Sequence, residues 1–351
     1  MPIPLHWFSW RLHGLSPPPN GSEIGERMEE PLIGLILAGG RGTRFGDLTK
    51  RVPKPLLPVA GRPLIIRNIE ALRRAGITNM TVVISPDSEQ VRAVLGNGHA
   101  IGVHLEYVVQ TEHLGTAHAI GLTRQVIGER RFLVCWSDNL SLYDLNELVE
   151  NNRYFSADGT LAVHFTDNPR KGGIVITKGR NIIEFEEKPE RPRSNLNLAG
   201  MYILGPWLFP CIEKTRLNAK EGEYYLPDAF QIAVNEGLTL HWSLVADWRM
   251  NVNTPEDLLI GNARLLEHDG RSAQSNGTYT VMPPVHIPPT VQIGKASVIG
   301  PYVTMGDRCI VGESVRIADS IVLGGAVIPD GAEIDRAIVD SDGTVYPAES
   351  E

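Results

Sequence analysis

From Ile287 onward the chain repeats an apolar residue every sixth position: Ile287, Ile293, Ile299, Met305, Val311, Ile317 and Leu323. Gly294, Gly300, Gly306, Gly312 and Gly324 follow five of them directly. This pattern is that of a parallel β-helix, in which each apolar residue points into a prism and glycine permits the corner. One coil takes about three hexads, so 285–339 supplies roughly three coils. The phase slips by one at Ile328 and recovers at Ile334. Seven agreeing positions favour that reading over a loop with chance repeats.

The rest of the chain turns on one stretch. Leu32-Ile33-Gly34-Leu35-Ile36-Leu37 reads as a buried parallel strand. It ends in Ala38-Gly39-Gly40-Arg41-Gly42-Thr43-Arg44 and reaches Pro53-Lys54-Pro55. Glycines let backbone N–H groups approach an anion closely, and the arginines and lysine add charge. The loop therefore reads as a phosphate cradle. It lacks the Gly-Lys-Ser/Thr ending of a Walker loop.

Strand and helix alternate from 32 to 136, which argues for a doubly wound sheet. Thr81–Ile84, Val103–Val109 and Arg131–Trp136 are the further strands. A helix opens at Arg62-Pro63-Leu64, another is capped by Asp87, and a third runs from its cap Thr116 to Ile127. Ligands of such sheets sit beyond the carboxyl ends of the strands. The opening loop, Gln110 and Asp138 all follow strand ends, so they are expected to share one cleft. From Thr160 the pattern becomes β-rich, giving a mixed sheet. The last helix opens at Pro255 with Thr254 as its N-cap.

A formal charge of −8 excludes a general nucleic-acid binder, so any basic site is local. The three cysteines, Cys135, Cys211 and Cys309, show no zinc or disulfide spacing and fit a reducing cytoplasm. No apolar run approaches the roughly 20 residues that span a bilayer, so no membrane partner is expected. Residues 1–30 read as a leader, with Met28 as the expected natural start. Its tryptophans, Trp7 and Trp10, allow a docking segment as the alternative.

These motifs resemble the sugar-1-phosphate nucleotidylyltransferases. The resemblance rests on Gly40-Arg41-Gly42-Thr43-Arg44, Pro53-Lys54-Pro55, Gln110 with Leu114-Gly115-Thr116-Ala117, Ser137-Asp138-Asn139 and Phe185-Glu186-Glu187-Lys188-Pro189. It covers about 32–339, nearly the whole chain. It implies an α/β, Rossmann-like nucleotidyltransferase domain at 31–267, a linker at 268–284 and a short left-handed β-helix at 285–345. It also implies an enzyme that joins a sugar 1-phosphate to a nucleoside triphosphate and releases pyrophosphate. By this match Arg44 and Lys54 are catalytic. Leu37, Ala38, Gly39, Gly40, Arg41, Gly42, Thr43, Gln110, Gly115 and Thr116 bind nucleotide. Gly173, Glu187, Lys188, Asn195 and Gly200 bind the sugar phosphate.

Asp138 matches the family's magnesium-binding aspartate. Its usual partner is an acid in Asp-x-Gly-Thr-Pro, where this chain has Asn251-Val252-Asn253-Thr254-Pro255. Either Asn251 or Asn253 can offer a neutral oxygen, and the departure bears on metal affinity. Gln110 can pair with the imide edge of uracil or thymine, while Gly115 would admit the base edge. UTP or dTTP with a glucose- or N-acetylglucosamine-type 1-phosphate is the leading expectation. Mannose-1-phosphate guanylyl transfer and a noncatalytic nucleotide-sugar-binding subunit are the alternatives. Acetyl transfer by the β-helix is disfavoured, with only His286 at its entrance. The β-helix is expected instead to pack on the catalytic domain and to support a homo-oligomer.

Overall fold

The computed structural model describes residues 31–348 apart from Arg41, Ser272, Gln274 and Asn276. The readings made on the leader, on Met28 and on Arg41 lie outside the described residues.

Nine strands form one mixed sheet. In chain order they are β1 (Ile33–Ala38), β2 (Asn79–Ile84), β3 (His104–Val109), β4 (Phe132–Trp136), β5 (Gly159–Phe165), β6 (Gly173–Lys178), β7 (Asn181–Glu187), β8 (Leu196–Leu204) and β9 (Leu240–Leu244). Their spatial order is β3-β2-β1-β4-β8-β5-β9-β7-β6. The first four are mutually parallel, and β8 joins them antiparallel to β4. Every residue of β1 is buried. Ile36 and Ala38 enter the core beneath helix Leu64–Arg74, whereas Ile33, Leu35 and Leu37 enter the core on the other face. That two-sided burial explains an unbroken apolar run.

Helix ends differ from expectation in three places. Pro63 does not enter the helix; it pairs with Pro58 in a small hairpin whose turn is Ala60-Gly61, and the helix begins at Leu64. Proline's fixed φ suits either role, and the left-handed turn decides it. Ser88, rather than Asp87, is the cap of helix Glu89–Leu95. Gly115, rather than Thr116, precedes helix Thr116–Gly121, which breaks before a second turn at Arg124–Ile127. There the Thr123 hydroxyl donates to the Ile120 carbonyl at 2.6 Å. Thr254 does cap helix Pro255–His268, within a full capping box with Asp257.

Three ladders of short parallel strands build the C-terminal prism. The first strand is Thr280–Val281, within the stretch read as linker. The phase slip also lies earlier than expected. Val322, not Leu323, stands in register with Met305 and joins the prism interior with Ile299, Val311, Ile317, Ile328, Ile334 and Val339. The corners mark the same step. Left-handed backbone falls at Ala296, Tyr302, Arg308, Ser314, Asp319, Gly325, Gly331 and Arg336, so five-residue steps follow Ser314 and Gly331. The phase does not recover at Ile334; a second short step follows it.

The glycines serve a different need from the one expected. Apart from Gly300 none of the five repeat glycines has positive φ; a Cβ on Gly294 or Gly306 would meet backbone of the next coil at 2.3 Å. Leu323, displaced from the prism, packs with Ile321 and Ile338 against Phe45, Leu48 and Leu57 of the glycine-loop segment. The β-helix and the nucleotide cleft thus share one core.

Candidate active site

The carboxyl ends of β1, β2 and β4 open onto a cleft of about 510 Å³. Leu37, Ala38, Gly39, Gly40, Gly42, Thr43, Lys54, Gln110, Gly115, Thr116 and Asp138 all line it. The chain delivers them from four separated segments, as the strand-end argument requires. Gly42 adopts φ 62° with the Thr49 methyl and Lys54 Cβ close by, so the turn has no room for a side chain. Two residues after Gly42, Arg44 stands exposed on the 43–45 turn and is not among the cleft-lining residues.

Lys54 and Asp138 meet across this cleft. The ammonium donates to Asp138 Oδ2 at 2.5 Å, and both side chains are largely buried. Gln110 is buried, not a surface glutamine, with its backbone N–H on the Ile84 carbonyl at 2.8 Å and its Nε2 3.5 Å from His118 Nδ1. A Cβ on Gly39 would lie 2.8 Å from Gln110 Oε1.

Gly115 is shaped by protein rather than by open space for a base. Its φ is 90°, and a Cβ would meet the Tyr224 carbonyl at 2.8 Å and Glu223 Cβ at 2.9 Å. Tyr224 N–H donates to the Leu114 carbonyl at 2.8 Å, which zips the two loops together.

The sugar-side candidates lie on or beside β6, β7 and β8, with Gly200 against Trp136 of the cleft. Glu187 ends β7 directly opposite Gly173 of β6. A Cβ on Gly173 would lie 3.1 Å from the Glu187 carboxylate. Burial raises the Glu187 pKa; Lys188 offsets this in part, while Glu221, Asp228 and Glu223 add to it. Lys188 adopts a left-handed φ of 44°, and its ammonium contacts Glu221 at 2.7 Å. Gly200 sits in the irregular part of β8 at φ 75°, its N–H donating to the Tyr202 hydroxyl at 3.1 Å. Asn195 is exposed just before β8, and its carbonyl accepts from Thr166 N–H at 2.9 Å.

The two asparagines separate clearly. Strand Arg249–Asn251 pairs with Asn139–Ser141, which sets Asn251 opposite Asn139, and Val252 N–H donates to the Asp138 carbonyl at 2.9 Å. The Asn251 Oδ1 accepts from Arg249 at 2.7 Å. Asn253 gives its backbone N–H to Asp257 of the capping box at 2.8 Å. Among the described residues no group of three or more His, Cys, Asp or Glu converges. One carboxylate with amide oxygens nearby fits a hard cation that keeps most of its ligands from water and phosphate, as magnesium does.

Sequence reasoning missed Trp136, which also lines the cleft, and Arg249, whose charge reaches Asp138. Arg249 was legible in principle. It is two residues before Asn251, so strand alternation puts both on one face.

The fold and site define a class, and the comparisons agree. The chain belongs to the nucleotidyl transferase family, whose model matches residues 33–267. It is an enzyme of the sugar-1-phosphate nucleotidylyltransferase class. Residues 281–348 match the GMPPB C-terminal domain. Among curated relatives, the low-salt glycan biosynthesis nucleotidyltransferase Agl11 of Haloferax volcanii is 33% identical over 70% of this chain and 68% of its own length. The mannose-1-phosphate guanyltransferase of Emericella nidulans is 32% identical over 74% of this chain and 73% of its own. The glucose-1-phosphate thymidylyltransferase of Streptomyces griseus is 29% identical over 66% of each. The matched segments thus span about two thirds of these relatives. A crystal structure of a putative glucose-1-phosphate thymidylyltransferase from Bacillus anthracis, in complex with a sucrose, superposes with a TM-score of 0.61 at 29% identity, covering 66% of this chain and 94% of that one.

Proposed function

We propose that this cleft transfers a nucleotidyl group from a nucleoside triphosphate to a hexose 1-phosphate. The observation that carries the reading is the Lys54–Asp138 contact at 2.5 Å inside a glycine-lined cleft that also holds Gln110. In the reaction an oxygen of the sugar phosphate attacks the α-phosphorus. The bond from that phosphorus to the bridging oxygen breaks, and pyrophosphate leaves. Two anions must meet, so the chain's work is positioning and charge neutralisation. Backbone N–H groups of Gly39–Thr43 cradle the triphosphate. Lys54 turns from Asp138 to the phosphates of both substrates, and Arg44 meets the leaving pyrophosphate. Asp138 would hold magnesium, which when bound supplies further charge neutralisation on the phosphate oxygens. Glu187 accepts sugar hydroxyls, Lys188 faces the sugar's phosphate, and Gly173, Asn195 and Gly200 shape that pocket.

Gln110 is the side chain placed to pair with the base. Its amide oxygen accepts an N–H and its NH₂ donates to the neighbouring C=O. Uracil and thymine carry that pair on their imide edge, and guanine carries it at N1–H and C6=O; adenine and cytosine offer an amino N–H beside a ring nitrogen, which a glutamine amide can also pair. The first reading is UTP or dTTP with a glucose- or N-acetylglucosamine-type 1-phosphate. The match of 281–348 to the GMPPB C-terminal domain favours a second, guanylyl transfer to mannose 1-phosphate. A grid of the common nucleoside triphosphates against these sugar 1-phosphates, reading pyrophosphate, separates them. ATP or CTP as the best donor would overturn both substrate readings.

Self-association through the β-helix belongs to the same reading. Ile310 and Val327 are paired in register and both exposed, which supports it. A monomer mass in light scattering at micromolar concentration contradicts it.

A further inference from the structure

Arg249 is a largely enclosed cation without an anionic partner. Among the described residues no carboxylate lies within ion-pair distance of it, and its Nε has no hydrogen-bond partner. One terminal nitrogen donates to His164 Nε2 at 2.7 Å. That ring is fixed as an acceptor there, because its Nδ1 lies 2.9 Å from the Phe165 carbonyl and donates to it. The other terminal nitrogen donates to Asn251 Oδ1 at 2.7 Å and to Asn139 Oδ1 at 3.4 Å. The amide oxygen that could have served a divalent cation is thus turned to a guanidinium.

Asp138 is already neutralised by Lys54 at 2.5 Å, and it also feels the charge of Arg249. Lys54 and Arg249 thus bring two positive charges to bear on one carboxylate. A bare divalent cation at Asp138 must displace Lys54 and meets the charge of Arg249, whereas a triphosphate is attracted and draws Lys54 away.

We propose that Arg249 withdraws Asn251 from the cation position and supplies fixed positive charge beside Asp138, so that a divalent cation enters this cleft only with the nucleotide's phosphates. The inference rests on reading the cleft as a nucleotidyl-transfer site. Arg249 acts through Asn251 and Asp138 and is a positioning residue.

Mn²⁺ binding to the full chain, followed by the electron paramagnetic resonance of free Mn²⁺, tests this without turnover. It is run with and without a nucleoside triphosphate whose α,β-bridge is a methylene. Wild-type protein alone should bind Mn²⁺ weakly, and the nucleotide should tighten it. Arg249→Met with Asn251→Asp should bind Mn²⁺ roughly tenfold more tightly than wild type without nucleotide, and Asn251→Asp alone should gain less because the new carboxylate pairs with Arg249. Arg249→Gln keeps a hydrogen-bond donor without the charge, serves if the double variant fails to fold, and should tighten Mn²⁺ severalfold. Wild type that binds Mn²⁺ alone as tightly as these variants overturns the proposal. Failure of wild type to release pyrophosphate would instead count against the proposed reaction and leave the Mn²⁺ comparison standing.

Discussion

Lys54 is the side chain on which most depends. Its ammonium faces a single carboxylate in a largely buried cleft, where charge acts more strongly than in water. Lys54→Ala should lower kcat/KM about 10²–10³-fold, the range for losing one preorganised charge donor. Arg44→Ala should lower kcat more than it raises the nucleotide KM; near-normal rates would remove Arg44 from the mechanism. Glu187 gives a pH dependence. Burial raises its pKa above the usual 4.5, so the carboxyl protonates at a higher pH than a free glutamate. The protonated form is the one the fold favours, and that stabilising contribution is lost as pH rises through the folded value. In the proposed reaction Glu187 takes the sugar as a carboxylate, so the KM for sugar 1-phosphate should rise on the acid side beginning above pH 4.5, while the KM for nucleotide stays flat. Equal acid limbs for both substrates would contradict the assignment. Lys54, Gln110 and Asp138 were legible in sequence because each follows a strand end or a distinctive motif. Arg249 was legible only as a same-face neighbour of Asn251; its place near Asp138 comes from a strand pairing with residues 139–141 that no local pattern reveals.

Local pattern served strands better than corners. The apolar run of β1 could only be a two-sided buried strand, and it is. The prism repeat was equally legible, yet Val322 and Leu323 are adjacent apolar residues and a period cannot say which one points inward. The left-handed corner at Asp319 decides, and it turns Leu323 out onto the catalytic core. Gly115 shows the same limit. A glycine next to a cleft reads as room for a ligand, whereas here it makes room for the Tyr224 backbone. Gly115→Ala should therefore cost about 1–3 kcal/mol, through strained backbone at positive φ and a clash with a carbonyl that cannot swing away. Thermal melting checks this; an unchanged Tm would mean the 223–224 loop yields freely.

The β-helix braces the segment that carries the glycine loop and Lys54. Arg51, three residues before Lys54, pairs with Asp342 and lies 3.2 Å from the buried Asp340 at the prism's end. Asp340 also accepts from the backbone of Asp342 and Thr344 and from the Tyr346 hydroxyl. A second strut runs through Asn262, which accepts from Ala60 N–H at 2.9 Å and from the Thr304 hydroxyl at 2.6 Å, and donates to the Tyr302 carbonyl. A third is the His286 ring seated on Gly61, where a Cβ would fall 2.3 Å from ring atoms. Arg51→Ala should leave Asp340 without its cation, lower Tm and speed amide exchange across 48–57 more than in β5 or β9. Asp342→Asn, at an exposed site, should do so less. Equal exchange across the molecule would mean that the prism does not support the loop.

The central claim is that this cleft moves a nucleotidyl group rather than hydrolysing a terminal phosphate. Phosphorus NMR of the full chain with magnesium, a preferred triphosphate and its sugar 1-phosphate tests it directly. The expected spectrum gains the paired doublets of a nucleotide sugar and inorganic pyrophosphate in equal amounts. Growth of inorganic phosphate and nucleoside diphosphate, or no new signal across the full substrate grid, would contradict it.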